Sequence, residues 1–160
     1  MKKFLIGCGI VAVSGFVILF GTLMWLGFKM ESGDAPDTKI LLGSEIKAPT
    51  RKVIDQFIEL AEDEAIIFYY SAGLFDHSEN MNLVTDQRVI VYQGSDAPVI
   101  YCRYDNIKEI EYEVQGSTFE DSSLLLATRD GNPALFSLTL SAEEGRDERV
   151  FKYIQDRISE

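Results

Sequence analysis

Asn82-Leu83-Val84-Thr85-Asp86-Gln87-Arg88-Val89-Ile90-Val91-Tyr92 is the stretch that decides the fold. Two runs rich in apolar and β-branched residues, Met81 to Thr85 and Arg88 to Tyr92, are separated only by Asp86-Gln87. Such runs suit a pleated, half-buried surface, and a two-residue polar break between them predicts a tight antiparallel hairpin.

Working outward, Ala65 to Tyr70 is apolar and aromatic throughout and reads as the preceding strand. After the hairpin, the turn cluster Gln93 to Pro98 leads into a strand at Val99 to Tyr104. From Ile107 to Val114, Ile110, Tyr112 and Val114 alternate with Glu109, Glu111 and Glu113, so one face is expected to be buried and the other to carry acids. Ser123 to Thr128 and Ala134 to Leu140 flank Arg129-Asp130-Gly131-Asn132-Pro133, where Asp-Gly supplies a turn. Ser141-Ala142-Glu143-Glu144 fits a capping box, and Val150, Phe151, Ile154 and Ile158 mark the apolar face of a final helix. Upstream of all seven strands, Thr50 is a candidate N-cap, and Val53, Ile54, Phe57, Ile58 and Ala61 predict an amphipathic helix over 51–63. Its basic residues stand first and its acids last, against the helix dipole, so packing must hold it. Short strands followed by one helix predict a mainly β (α+β) domain over 50–160: an antiparallel sandwich or partial barrel whose open corner the helix plugs.

The hairpin, then Tyr104-Asp105-Asn106-Ile107-Lys108-Glu109-Ile110, then a strand pair and a terminal helix, resemble the bacterial pleckstrin-homology-like domains. In that family a "lTdxRvi" hairpin precedes a "ydxIxxIe" strand. The resemblance spans about Glu62 to Glu160 and implies a seven-stranded sandwich capped by a C-terminal helix. It also implies a turn role for Asp86, strand anchoring for Tyr104 and Ile107, and plugging by Phe151 and Ile154. Phosphoinositide-binding members of the wider superfamily place Lys and Arg in and beside the first strand-to-strand loop. Here that loop, Ser71 to Asn80, contains no Lys or Arg and two acids, a departure that argues against headgroup recognition.

Residues 1–29 have a different character. Between Lys3 and Lys29 lies an uncharged run from Phe4 to Phe28, 25 residues. As a helix it is about 37 Å long, enough to cross a hydrocarbon core of about 30 Å. A cleavable signal has a shorter apolar region and a small-residue cleavage site, which Lys29-Met30-Glu31 does not supply. Leu5-Ile6-Gly7-Cys8 looks like a lipobox, but only Phe4 to Gly7 precede the cysteine. A single-pass anchor through residues 4–28 is the expectation. Lys2, Lys3 and the α-amine place the N-terminus in the cytoplasm and the soluble domain outside the plasma (inner) membrane. Residues 30–49, with Gly33, Pro36, Gly43 and Pro49, read as a tether carrying at most one short ordered piece at Ile40-Leu41-Leu42.

All 26 acids lie at or beyond Glu31, where 12 basic side chains leave a net charge of −14. Such a body repels nucleic acid and anionic lipid unless a local basic patch overrides the field. Arg88, Arg103 and Lys108 are separated along their strands and predict no such patch. With one histidine and no CxxC pair, a zinc site within the chain is not expected; neither is a cofactor, and the acid run Glu59, Glu62, Asp63, Glu64 reads as a solvated face. His77 beside Asp76 and Ser78 invites a catalytic reading, but no nucleophile-elbow glycine pattern surrounds any serine, so the expectation is a binding module and not an enzyme. The candidate interaction loop is Leu74 and Phe75, an apolar tip, with His77. The functional expectation is a membrane-anchored module that binds a protein or peptide as an accessory subunit of a membrane complex. The alternatives are a lipid- or small-ligand-binding module and, third, a hydrolytic enzyme.

Overall fold

The computed structural model of the chain describes residues 2–73, 76–114 and 121–159, with side chains from Ser14 to Ile158. Among these the chain forms three α-helices, α1 (Lys2–Ser32), α2 (Ala48–Phe57) and α3 (Arg146–Ser159). There are eight strands: β1 (Leu41–Leu42), β2 (Ile66–Tyr70), β3 (Met81–Thr85), β4 (Arg88–Tyr92), β5 (Ile100–Arg103), β6 (Ile107–Glu113), β7 (Ser122–Thr128) and β8 (Leu135–Leu140). The protein is mainly β, with antiparallel sheets and a C-terminal helix.

The Asp86-Gln87 break closes the expected hairpin, pairing Leu83 with Ile90 and Val84 with Val89. The Asp86 carboxylate accepts the Ala65 amide at 2.9 Å, and the Asp86 amide donates back to the Ala65 carbonyl at 3.0 Å, so the turn residue also fixes the start of β2. Strands β1 to β5 make one sheet in sequential order; β6, β7 and β8 make a second. β3 and β4 read as nearly continuous apolar runs because both faces of their sheet are covered. Val84, Val89 and Val91 face the second sheet and α3, packing with Cys102, Leu124, Leu126, Leu138, Val150 and Ile154. Leu83 and Ile90 face outward and meet Ile54 and Ile58, so α2 roofs the outer side of the first sheet. The two sheets are stitched where buried Asn82 donates to the Thr139 carbonyl at 3.1 Å. Tyr104 donates its hydroxyl to the Thr85 carbonyl, and Ile107 is fully buried; both act as strand anchors.

Several details differ from the sequence reading. The amphipathic helix runs over Ala48–Phe57, not 51–63. Pro49 fits its first turn, where no backbone N–H is required, and Thr50 is not a cap; its hydroxyl donates to the Gly33 carbonyl at 2.9 Å. The helix stops early because the chain must extend to bury Ile58 and bring Glu64 back to Arg88. Glu64 therefore leaves the solvated acid face: its carboxylate is fully buried and holds the Arg88 guanidinium through two bonds of 2.8 and 2.7 Å. The stretch read as a tether is largely packed. Ala35 and Ile40 are buried, and β1 adds an eighth strand to the edge of β2, Leu41 opposite Tyr69. Gly43 follows because a Cβ there would lie 1.9 Å from the Ile66 carbonyl. Arg146 clamps this stretch to the start of α3, donating to the Ile40 carbonyl at 2.6 Å and pairing with Glu45. That guanidinium, together with the Leu42 amide, holds the Glu45 carboxyl down at about 2. The capping box at Ser141 does not form. The Ser141 hydroxyl accepts the Glu143 amide at 3.2 Å, Glu144 takes φ 59°, and α3 begins at Arg146.

α1 is one continuous helix. The side chains from Phe16 to Phe28 are apolar apart from Thr22, and exposed apart from half-buried Leu26: Phe16 68%, Leu19 61%, Trp25 56%, Phe28 70%. Among the described residues no helix is long and apolar enough to cross a membrane, the described side chains beginning at Ser14, inside the run from Phe4 to Phe28.

Candidate functional site at the root of the first helix

The end of α1 is built into the β domain. Gly33 ends the helix with φ 85°, its amide donating to Lys29 at 3.1 Å and that of Asp34 to Lys29 at 2.9 Å, which satisfies carbonyls the helix leaves open. A side chain at Gly33 would also press on Lys47 and Thr50 at 3.0 Å, so α2 approaches here only because the position is glycine.

His77 stands next to this junction, in the loop between β2 and β3. It is 2% exposed, so it is a core residue and not part of an exposed interaction loop. Its Nδ1 meets the Tyr69 hydroxyl at 2.7 Å and its Nε2 makes no hydrogen bond. Burial lowers its pKa, outweighing Asp76, Asp34 and the carbonyls of Gly33 and Ala35, all of which favour the charged ring. Asp76 does not serve the ring as a relay would; its carboxylate accepts the Ser78 amide at 2.8 Å and caps a short 3-10 turn. Leu74 and Phe75, the other residues of the candidate loop, lie outside the described residues.

Beside the junction opens a cleft of about 730 Å³. Leu26 and Met30 on α1 form an apolar wall; Tyr70, at the end of β2, is a second. Asp37, Asp121 and Glu143 come from three separate segments, and no Lys or Arg lines the cleft among the described residues. The Tyr70 hydroxyl donates to Asp121 at 2.9 Å. Its pKa is raised, first by burial and then by Asp121, so it stays a neutral donor. Lys39, nearby in sequence, is taken up by Glu144 at 3.2 Å. Chemically the cleft is an amphipathic trough, lined by apolar side chains of α1 and by three carboxylates.

Of the serines lining the trough, Ser71 donates to the Asn80 carbonyl at 2.8 Å and Ser141 accepts the Glu143 amide at 3.2 Å. Elsewhere the Cys102 thiol is buried and its pKa pushed up to about 11, by desolvation first and then by Asp130 and Asp105. Among the described residues no group of three or more His, Cys, Asp or Glu is placed to hold a metal ion. The sequence reading missed the trough because its walls come from residues some 115 positions apart, Leu26 to Ser141; the one legible signal was the apolar Tyr70 just before an acidic, cation-free loop.

No family model matches the sequence, and no curated protein matches it. Among solved structures the chain is similar to a DUF1696 family protein with a pleckstrin-homology domain from Shewanella loihica. The TM-score is 0.49 at 18% identity, over 75% of this chain and 96% of that one. It is also similar to a pleckstrin homology domain from Shewanella amazonensis, with a TM-score of 0.45 and 19% identity, over 68% of this chain and 86% of that one.

Proposed function

We propose that this chain is a single-pass membrane protein whose pleckstrin-homology-like domain binds a segment of a protein partner in the trough at the root of α1, as an accessory subunit of a membrane complex. The trough carries the reading: apolar side chains of the helix and three carboxylates, with no Lys or Arg in the lining among the described residues, suit a basic, partly apolar peptide segment. The domain assignment is supported by strand order, a meander followed by a second sheet and a terminal helix that plugs its corner. The anchor is supported by the 25-residue uncharged run and by α1 exposing apolar side chains on all sides, which no aqueous surface favours. Lys2 and Lys3 orient the N-terminus to the cytoplasm, with the domain outside the plasma (inner) membrane.

The test is purification of the full chain from detergent-solubilised membranes, wild type beside Glu143→Lys. Glu143 is exposed and lines the trough. A stoichiometric protein that accompanies the wild type and is lost from the variant is the expected result. Co-purification of lipid or a small ligand with no protein would overturn the reading in favour of a lipid- or small-ligand module.

A further inference from the structure

At the other end of the sandwich three arginines gather around one cleft. Helix α1 and the loop after β2 sit at one end of strand β3, and the Asp86-Gln87 turn is at the opposite one. There Arg103 at the end of β5, Arg129 after β7 and Arg157 near the end of α3 line one cleft of about 620 Å³. Backbone contacts bring these distant segments together. The Arg129 amide donates to the Asn106 carbonyl at 2.7 Å, and the Arg157 guanidinium donates to the Asp86 carbonyl at 3.2 Å.

The three guanidiniums are largely free for a ligand. The Arg129 side chain has no ion pair or hydrogen bond among the described residues. Arg157 lies 5.1 Å over the Tyr153 ring and 6.0 Å from that of Tyr104, which hold its fork in place. Arg103 meets Asp105 at 3.4 Å, but both side chains are 72% exposed, so water competes for each. The second acid of the cleft, Asp86, is occupied by the Ala65 amide, and Asp130, next to Arg129, accepts the Asn132 amide at 3.0 Å. Three arginines and two acids line the cleft, with Asp130 the next acid in sequence to Arg129, in a region whose charge is −14. Arg88, although paired in register with Arg103, contributes little because Glu64 holds it.

A guanidinium presents parallel N–H groups that match pairs of oxygens on phosphate or carboxylate. Three of them lining one cleft from different segments suit an anion with oxygens in several directions, a tetrahedral phosphoryl group more than a planar carboxylate. We propose that this cleft binds a phosphoryl-bearing small molecule from solution, with Arg103, Arg129 and Arg157 as its ligands. It stands apart from the trough at the root of α1, and the choice of a solution ligand over a headgroup rests on the reading of α1 as a membrane anchor. A membrane headgroup offers the same chemistry, but a bilayer entered by α1 lies at the other end of the domain.

The experiment follows the arginine side-chain N–H resonances of the full chain in neutral detergent micelles as pyrophosphate is added. Saturable shifts are expected in the wild type. Binding should weaken at least about tenfold in Arg129→Ala and stay unchanged in Arg149→Ala, an exposed arginine outside the cleft. Because the exposed Arg129 side chain makes no hydrogen bond or ion pair among the described residues, its loss is expected to leave the fold in place, which unchanged backbone resonances verify. Absence of saturation at millimolar pyrophosphate, or equal weakening by both variants, would overturn the proposal. So would a shift of the Arg129 resonance in phosphatidylcholine discs containing phosphatidylinositol phosphate with no response to pyrophosphate, since the ligand would then be a headgroup.

Discussion

Arg88 and Glu64 hold one another where β4 leaves the hairpin, and the pair is closed by Thr85, whose hydroxyl donates to Glu64 at 2.8 Å. Burial works against the Glu64 carboxylate, yet the bonds from Arg88, Ala61 and Thr85 outweigh it and lower its pKa. Arg88→Ala leaves that carboxylate buried without its counter-charge. It is expected to cost about 3 kcal/mol, the low end for a buried pair because Arg88 is itself 23% exposed, read as a shift in urea midpoint. His77 sets a second expectation. Its pKa is lowered in the fold, so between that value and the ordinary 6.5 the unfolded chain binds more protons, and stability must fall as pH drops through this window. Thermal midpoints between pH 7 and 5 check this: the wild type should lose stability that His77→Gln does not, and parallel curves would contradict it. Neither residue was legible beforehand. Hydropathy places an acid in a run of acids and a histidine in a polar loop on the surface; only tertiary contact with Arg88 and Tyr69 moves them inside.

At the level of elements, the terminal helix closes the corner between the sheets with Val150 and Ile154, both fully buried. Phe151, expected as a plug, is only half-buried and stacks on Tyr112 with ring centroids 5.2 Å apart. Ile154→Ala is therefore expected to destabilise by about 2–5 kcal/mol and Phe151→Ala by less, an order that chemical denaturation of the two variants would reverse if the ring were the true plug. The seven strands were legible to within a residue or two, because β-branched runs and turn residues are local signals. β1 was not, since two residues carry no periodicity and it forms only against β2. Helix α2 was placed correctly in kind but too far along the chain, its apolar repeat continuing through Ile58 and Ala61 after the backbone has already extended.

Across the whole molecule, charge and hydropathy are segregated: an apolar helix at one end, an acid-lined trough at its root, and an arginine cleft at the far end. The segregation of helix from acidic body is plain in the sequence, since no acid precedes Glu31. The trough and the cleft are not, because each is assembled from loops brought together by the sandwich. The proposed function depends most on the trough being the face a partner occupies. A photo-crosslinking residue placed at Thr38, exposed on the trough, and separately at Lys108, exposed on β6, tests this in intact membranes. The expected result is one protein adduct from Thr38 that Glu143→Lys suppresses, and none from Lys108; the same adduct from both positions, or none from Thr38, would contradict the account.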